Sequence, residues 1–225
     1  MLSIPTRKTV RLLWVATITI NLLGLLRAIF KYALDFEYGY ELLDIFDLNE
    51  EKNIPAWYSA SILLLCGVIL YFISLNKQQS RDKYCRHWLW LGFIFFYLSM
   101  DEAISIHEDI KLHFFGKEHI FYDDSWVLVY GILVAIFVFS YRRFLRHLPV
   151  ATRRMFIVSG CIYVSGTIGM EVVGSFTQEF YGKGSIVHAM ATTIEECLEM
   201  VGIVVFFNTL LSYASIPDSL VSKGE

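Results

Sequence analysis

The sequence predicts an all-α integral membrane protein: one bundle of about six transmembrane helices forming a single multipass domain over 1–225, with both termini cytoplasmic. Three observations carry that expectation. The 225 residues are 56% hydrophobic and 18% charged, with a mean hydropathy of +0.51, whereas soluble domains run at roughly 45–50% apolar. Six stretches approach the ~20 residues needed to cross bilayer hydrocarbon, at 11–31, 57–76, 87–107, 125–145, 155–175 and 186–208. Finally, 13 of the 19 Lys and Arg residues fall on one side of a six-span arrangement.

Span 1 follows Arg7, Lys8 and Arg11 and carries Arg27 and Lys31 one turn apart near its far end. It lacks a small-residue cleavage site and is longer than a signal-peptide core, so it reads as retained. Lys77, Arg81, Lys83 and Arg86 join spans 2 and 3, Arg142, Arg143, Arg146, Arg153 and Arg154 join spans 4 and 5, and Lys223 lies in the tail. The positive-inside rule makes their side cytoplasmic. Of the 22 acids only Asp82, Asp218 and Glu225 share it. Pro5, Pro55, Pro149 and Pro217 all lie outside the spans, which predicts unbroken helices, because proline removes a backbone bond and kinks a helix interior. Trp57, Tyr58, Trp88, Trp90 and Trp126 fall near span boundaries and read as interfacial anchors. Cys66, Cys161 and Cys197 lie within spans with no C-x-x-C, so they read as small buried side chains and not as a disulfide or thiolate framework.

The basic residues are thus explained by topology, which argues against nucleic-acid binding. No G-x-G-x-x-G, P-loop, H-E-x-x-H or G-x-S-x-G occurs, so nucleotide binding and the common hydrolase motifs find no support. The acids point elsewhere. "SMDEAISIHED" (99–109) follows an apolar and aromatic run directly, and an unpaired charge at that depth costs on the order of 2.5 kcal/mol or more.

At ~100° per residue, Tyr97, Asp101, Ser105 and Glu108 form a polar stripe on span 3, with Glu102 beside it and His107 turned well away. Thr167, Glu171, Ser175 and Gln178 form another on span 5, and His188, Thr192, Glu195 and Glu199 a third on span 6, with Glu196 adjacent. A ~1.5 Å rise per residue puts Asp101, Glu108, Glu171, His188 and Glu195 in the outer half of the bilayer, where they can meet, and Glu199 deeper.

Groups of this kind are tolerated in hydrocarbon when they share protons, bind a cation or pair with bases. The leading expectation is that Asp101, Glu108, Glu171, His188 and Glu195 ligate a divalent metal, with Glu102, His107, Glu196 and Glu199 as further candidates. Carboxylates with one or two imidazoles suit iron, manganese or zinc, and the site would serve a metal-dependent membrane enzyme. Arg27 and Lys31 offer countercharges. The same acids would alternatively serve a small proton- or cation-coupled transporter, with Glu199 extending the relay inward. A third reading is a non-catalytic assembly protein that docks a membrane partner through its acidic 35–51 loop, "DFEYGYELLDIFDLNEE".

"FDLNEEKNIPAWYSA" (46–60) and "YLSMDEAISIHE" (97–108) carry an N-I-P-x-W-Y-S block and a D-E-x-x-S-x-H-E block. In these the chain resembles a group of uncharacterised bacterial six-span membrane proteins. The resemblance implies a multipass protein of a bacterial cell membrane and marks the two blocks, without implying a reaction.

Overall fold

The computed structural model describes residues 6–34, 41–48, 50, 53–107 and 125–215. Among them there is no strand. Helix α1 (Thr6–Ala28) runs into a π-helical segment, Ile29–Ala33, and a short 3-10 turn, Glu41–Phe46, precedes α2 (Ile54–Gln79). Then follow α3 (Cys85–Ile104), α4 (Trp126–His147), α5 (Val150–Val164), a second π-helical segment Ser165–Met170, α6 (Glu171–Tyr181) and α7 (Ile186–Ala214). Five continuous helical stretches, Arg7–Ala33, Ile54–Gln79, Trp126–His147, Val150–Tyr181 and Ile186–Ala214, are long and apolar enough to cross a membrane. The 20 residues of α3 reach about 30 Å, and its last turn carries Asp101 and Glu102.

The helix starts follow local chemistry. Asn53 caps α2 by accepting from Ala56 N at 2.9 Å, and Pro55 stands in the first turn, where its missing N–H leaves no bond unmade. The Asn53 amide also donates to the carbonyls of Asp47 and Glu50. "NIPAW" is therefore a helix start tied to the loop before it. Ser185 caps α7 in the same way, accepting from His188 N.

The fifth span is continuous, as expected, but its middle turn is π-helical and not α-helical. Ser165 and Thr167 hydroxyls donate back to the carbonyls of Cys161 (2.7 Å) and Tyr163 (3.1 Å), and Gly166 and Gly169 lie beside them. Such back-bonding and glycine loosen the α pattern and let a wider turn form. The segment also approaches α7 closely: a Cβ on Gly166 would stand 2.8 Å from Glu199 Cγ and 2.9 Å from the Glu195 carbonyl. Gly202 makes the reciprocal contact, since its Cβ would meet Tyr163 N at 2.8 Å. Small residues let membrane helices approach in this way.

One end of the bundle gathers the basic turns and an aromatic seal. Trp88, 1% exposed, meets Phe144 edge-on at 4.9 Å and stacks on Tyr213 at 4.9 Å, and Phe156 packs on Phe206. Tyr141 donates to the His87 carbonyl at 3.0 Å. The positions of Trp88, Trp126 and Tyr58 correct their reading as interfacial anchors: all three are buried, Tyr58 donating to the Leu13 carbonyl and bonded to Thr17. Trp57 and Trp90 are exposed. Among the cysteines Cys66 is buried, but Cys161 is exposed, so the buried reading fails there.

The opposite end is closed by part of the acidic loop. Arg27, 3% exposed, binds Asp44 at 3.1 Å and Asp47 through a second nitrogen. Leu48 seats against Gly24, where a Cβ would clash with it. Arg27 thus engages the loop acids Asp44 and Asp47, and no ion pair among the described residues joins it to the acids of spans 3, 5 and 6, for which it was expected as countercharge. Residues 35–40, 49 and 51 of that loop lie outside the described residues.

Gly202→Ala should therefore destabilise by about 1–3 kcal/mol, since the opposing atoms are backbone and cannot move aside easily. Gly160→Ala, whose Cβ meets nothing within 4 Å, should be neutral or stabilising by up to about 1 kcal/mol. Thermal unfolding in detergent compares them, and equal melting temperatures would contradict the close α5–α7 approach.

Candidate functional site

A cavity of about 2000 Å³ lies between α3, α4, α5, α6 and α7. The three polar stripes meet on it. Tyr97, Asp101 and Glu102 line it from α3, Thr167, Glu171, Ser175 and Gln178 from the π segment and α6, and His188, Thr192, Glu195 and Glu199 from α7. By helical rise, Glu171 lies about 15 Å before the end of α6 and Glu195 about 14 Å past the start of α7. Because those two ends are joined by a short turn, the two carboxylates stand at one level, with Glu199 a turn deeper.

Glu199 is the centre of the cluster. It is 8% exposed, and Glu102, Glu196, Glu195 and Glu171 all lie close enough to act electrostatically on its carboxyl. Tyr163, wedged against Gly202, stands within the same field, beside Glu199, Glu102 and Asp101. No hydrogen bond or ion pair reaches the Glu199 side chain from any described residue. Sequence depth makes this residue a peripheral candidate; burial and the Gly166 contact make it the core of the site.

Asp101 belongs to a different arrangement. Helix α3 ends at Ile104 because Ser105 turns left-handed, with φ 58°. The chain therefore doubles back, and His107, expected to point well away from Asp101, instead meets it: its backbone N donates to Asp101 Oδ1 at 2.8 Å and its Nδ1 lies 3.3 Å from the same oxygen. Tyr130 donates to Asp101 Oδ2 at 3.2 Å and is bonded to Tyr97 at 2.7 Å. Trp126 lies against the His107 ring, centroids 4.6 Å apart. The carboxylate fixes the Nδ1–H form of His107, so a neutral ring carries its lone pair on Nε2. "DEAISIH" (101–107) is thus a helix end folded back onto its own aspartate. Tyr130 was not legible in the sequence, because its role depends on where α4 docks.

His188 is held similarly. Thr177 donates its hydroxyl to the Gly174 carbonyl at 2.9 Å, so its oxygen accepts from His188 Nδ1 at 3.1 Å. With Nδ1 donating to Thr177, a neutral ring carries its lone pair on Nε2, as in histidines whose tautomer is fixed by a neighbouring oxygen. As the side chains stand, no three His, Cys, Asp or Glu groups among the described residues are placed to hold a metal ion. The expected meeting of Asp101, Glu171, Glu195 and His188 at one centre is therefore not present: Asp101 is drawn to α4 and His188 to Thr177. Glu108 lies outside the described residues.

A family model described as a domain of unknown function, DUF8692, matches residues 11–214. The chain belongs to this family. The DUF8692 match runs from within α1 to the end of α7 and so takes in the whole cavity. Among curated proteins and solved structures, none matches.

Ser105→Gly should preserve the return of His107 onto Asp101, since glycine accepts the left-handed backbone. Ser105→Val should cost about 1–2 kcal/mol, because a β-branched residue crowds its carbonyl there. Thermal unfolding distinguishes them, and equal tolerance of valine and glycine would contradict the turn.

Proposed function

We propose that this chain is a multipass protein of the cell membrane, with cytoplasmic termini, that binds a divalent metal cation in its outer-half carboxylate cluster and uses it as a metal-dependent membrane enzyme. One observation carries the reading: Glu199 is buried in a helical bundle with four other carboxylates in electrostatic range and no hydrogen-bonding or ionic partner among the described residues. An ionised carboxylate so placed costs several kcal/mol unless a cation or a proton compensates it. A divalent ion would also relieve the repulsion among Glu102, Glu171, Glu195 and Glu196. Glutamate has three side-chain torsions, and rotation about them would bring oxygens of Glu171, Glu195 and Glu199 inward to the ~2.0–2.2 Å a metal requires. His188, which lines the same cavity, would make this a mixed carboxylate and imidazole set suited to iron, manganese or zinc. When bound, such an ion supplies Lewis-acid polarisation or an activated water.

The carrier reading has less support. Beyond Glu199, α7 continues as Gly202, Ile203 and Phe206, and the Trp88, Phe144, Phe156 and Tyr213 rings occupy the basic end. Among the described residues no further acid carries a relay through that seal. The docking reading loses Asp44 and Asp47, which Arg27 engages.

Orientation follows from the basic turns, all gathered at the sealed end, by the positive-inside rule. The test of the site is metal analysis of protein purified without chelator, followed by titration with Mn²⁺, Fe²⁺ and Zn²⁺. About one ion per chain is expected, with affinity lowered at least ten-fold in Glu199→Gln and Glu195→Gln, in line with the ~10–100-fold typical even of outer-shell changes. Protein that holds no metal from several growth media and binds none on titration, or variants that bind like the parent, would refute the proposal.

A further inference from the structure

The cavity is far larger than an ion needs. At about 2000 Å³ it exceeds the ~300–1,000 Å³ of ordinary small-molecule sites. Its middle is apolar, walled by Ile94 and Leu98 of α3, Leu133 and Phe137 of α4, and Ile157 and Val164 of α5. Helix α4 is tied down near its two ends, by Trp126 and Tyr130 at one and by Tyr141 and Phe144 at the other. Between them Leu133, Ile136 and Phe139 are more than half exposed. Among the described residues the backbone of α4 packs closely only on the Ser165–Met170 segment, so the cavity is open along the flanks of α4, at the depth of lipid chains.

Its two ends differ in charge. The outer end holds Asp101, Glu102, Glu171, Glu195, Glu196 and Glu199 against Lys183, and the other end holds Arg142, Arg146 and Arg153. One divalent ion leaves the outer end acidic. The unpartnered, buried carboxylate of Glu199 faces this same space.

We propose that the cavity admits a chain-bearing lipid from the side, with its hydrocarbon along α3, α4 and α5 and a cationic amine headgroup at the carboxylate cluster. This rests on the reading of that cluster as a cation-binding site and names its substrate class. An anionic head is selected against at that end by charge, and a water-soluble amine gains nothing from the apolar walls.

The test uses three probes with one chain and three heads: oleylamine, oleyl alcohol and oleic acid, added to the full chain in detergent and counted by native mass spectrometry. One oleylamine per chain should be retained at a concentration at least ten-fold below that needed for oleic acid. Gly160 and Ile157 line the cavity on α5, away from the carboxylate cluster, and a Cβ on Gly160 meets nothing within 4 Å, so Gly160→Trp and Ile157→Trp should fill it without disturbing the acids. Each should weaken oleylamine binding at least ten-fold while binding Mn²⁺ as the parent does. Equal retention of amine and acid, or tryptophan variants that bind the amine normally, would overturn the proposal. On the unaltered protein, a diazirine-bearing long-chain amine should label residues such as Leu133 and Ile157. Labelling confined to Leu12 of α1 and Phe72 of α2, which lie outside the cavity, would overturn it as well. Amine binding lost with Mn²⁺ binding kept removes this inference alone; Mn²⁺ binding absent with amine binding kept removes the metal reading alone.

Discussion

A carboxylate inside a helical bundle that faces hydrocarbon cannot stay ionised without a compensating charge, and Glu199 is such a group. The surrounding structure brings it there at close quarters. Gly166 and Gly202 remove the side chains that would hold α7 away from α5 and the π segment, so Glu195 and Glu199 lie against the turn that leads into Glu171. The π segment itself costs regular helical bonding, and that cost is met where the acids converge. Single-turn π segments inside α-helices recur at functional sites for this kind of reason.

The two ends of the bundle are built differently, and the cavity depends on the contrast. At the basic end aromatic rings from α3, α4, α5 and α7 interlock around Trp88 and Phe144. At the acidic end polar contacts do the holding: Asp101 with His107 and Tyr130, His188 with Thr177, Arg27 with Asp44 and Asp47. Between them α4 stands away from its neighbours. A cavity that is acidic at one end, apolar in its middle and basic at the other is the outcome, running in the direction in which a bilayer also changes character.

The helices and the three polar seams were legible in the sequence because both rest on periodicity: runs of apolar residues near the length of a bilayer, and acids recurring on one face of a helix. What sequence could not show depended on departures from periodicity. Ser105 in a left-handed conformation reverses His107, and a helical wheel that assumes the helix continues places that ring on the wrong side. The π segment in span 5 follows from hydroxyl back-bonding near two glycines, a pattern with many regular-helix counterexamples. Glu199 ranked low on depth alone, since its importance comes from the approach of Gly166, a tertiary contact. Aromatic residues near span ends divide the same way: Trp57 and Trp90 lie exposed, while Trp88 and Trp126 are buried by partners distant in sequence.

The most direct test of the account is anomalous diffraction from crystals of the protein soaked in Mn²⁺. It predicts one peak within about 2.0–2.2 Å of a Glu199 carboxylate oxygen, shared with Glu195 or Glu171 and absent from Glu199→Gln crystals. A peak at the Asp101–His107 pair, or no ordered manganese beside a well-defined Glu199 side chain, would contradict it.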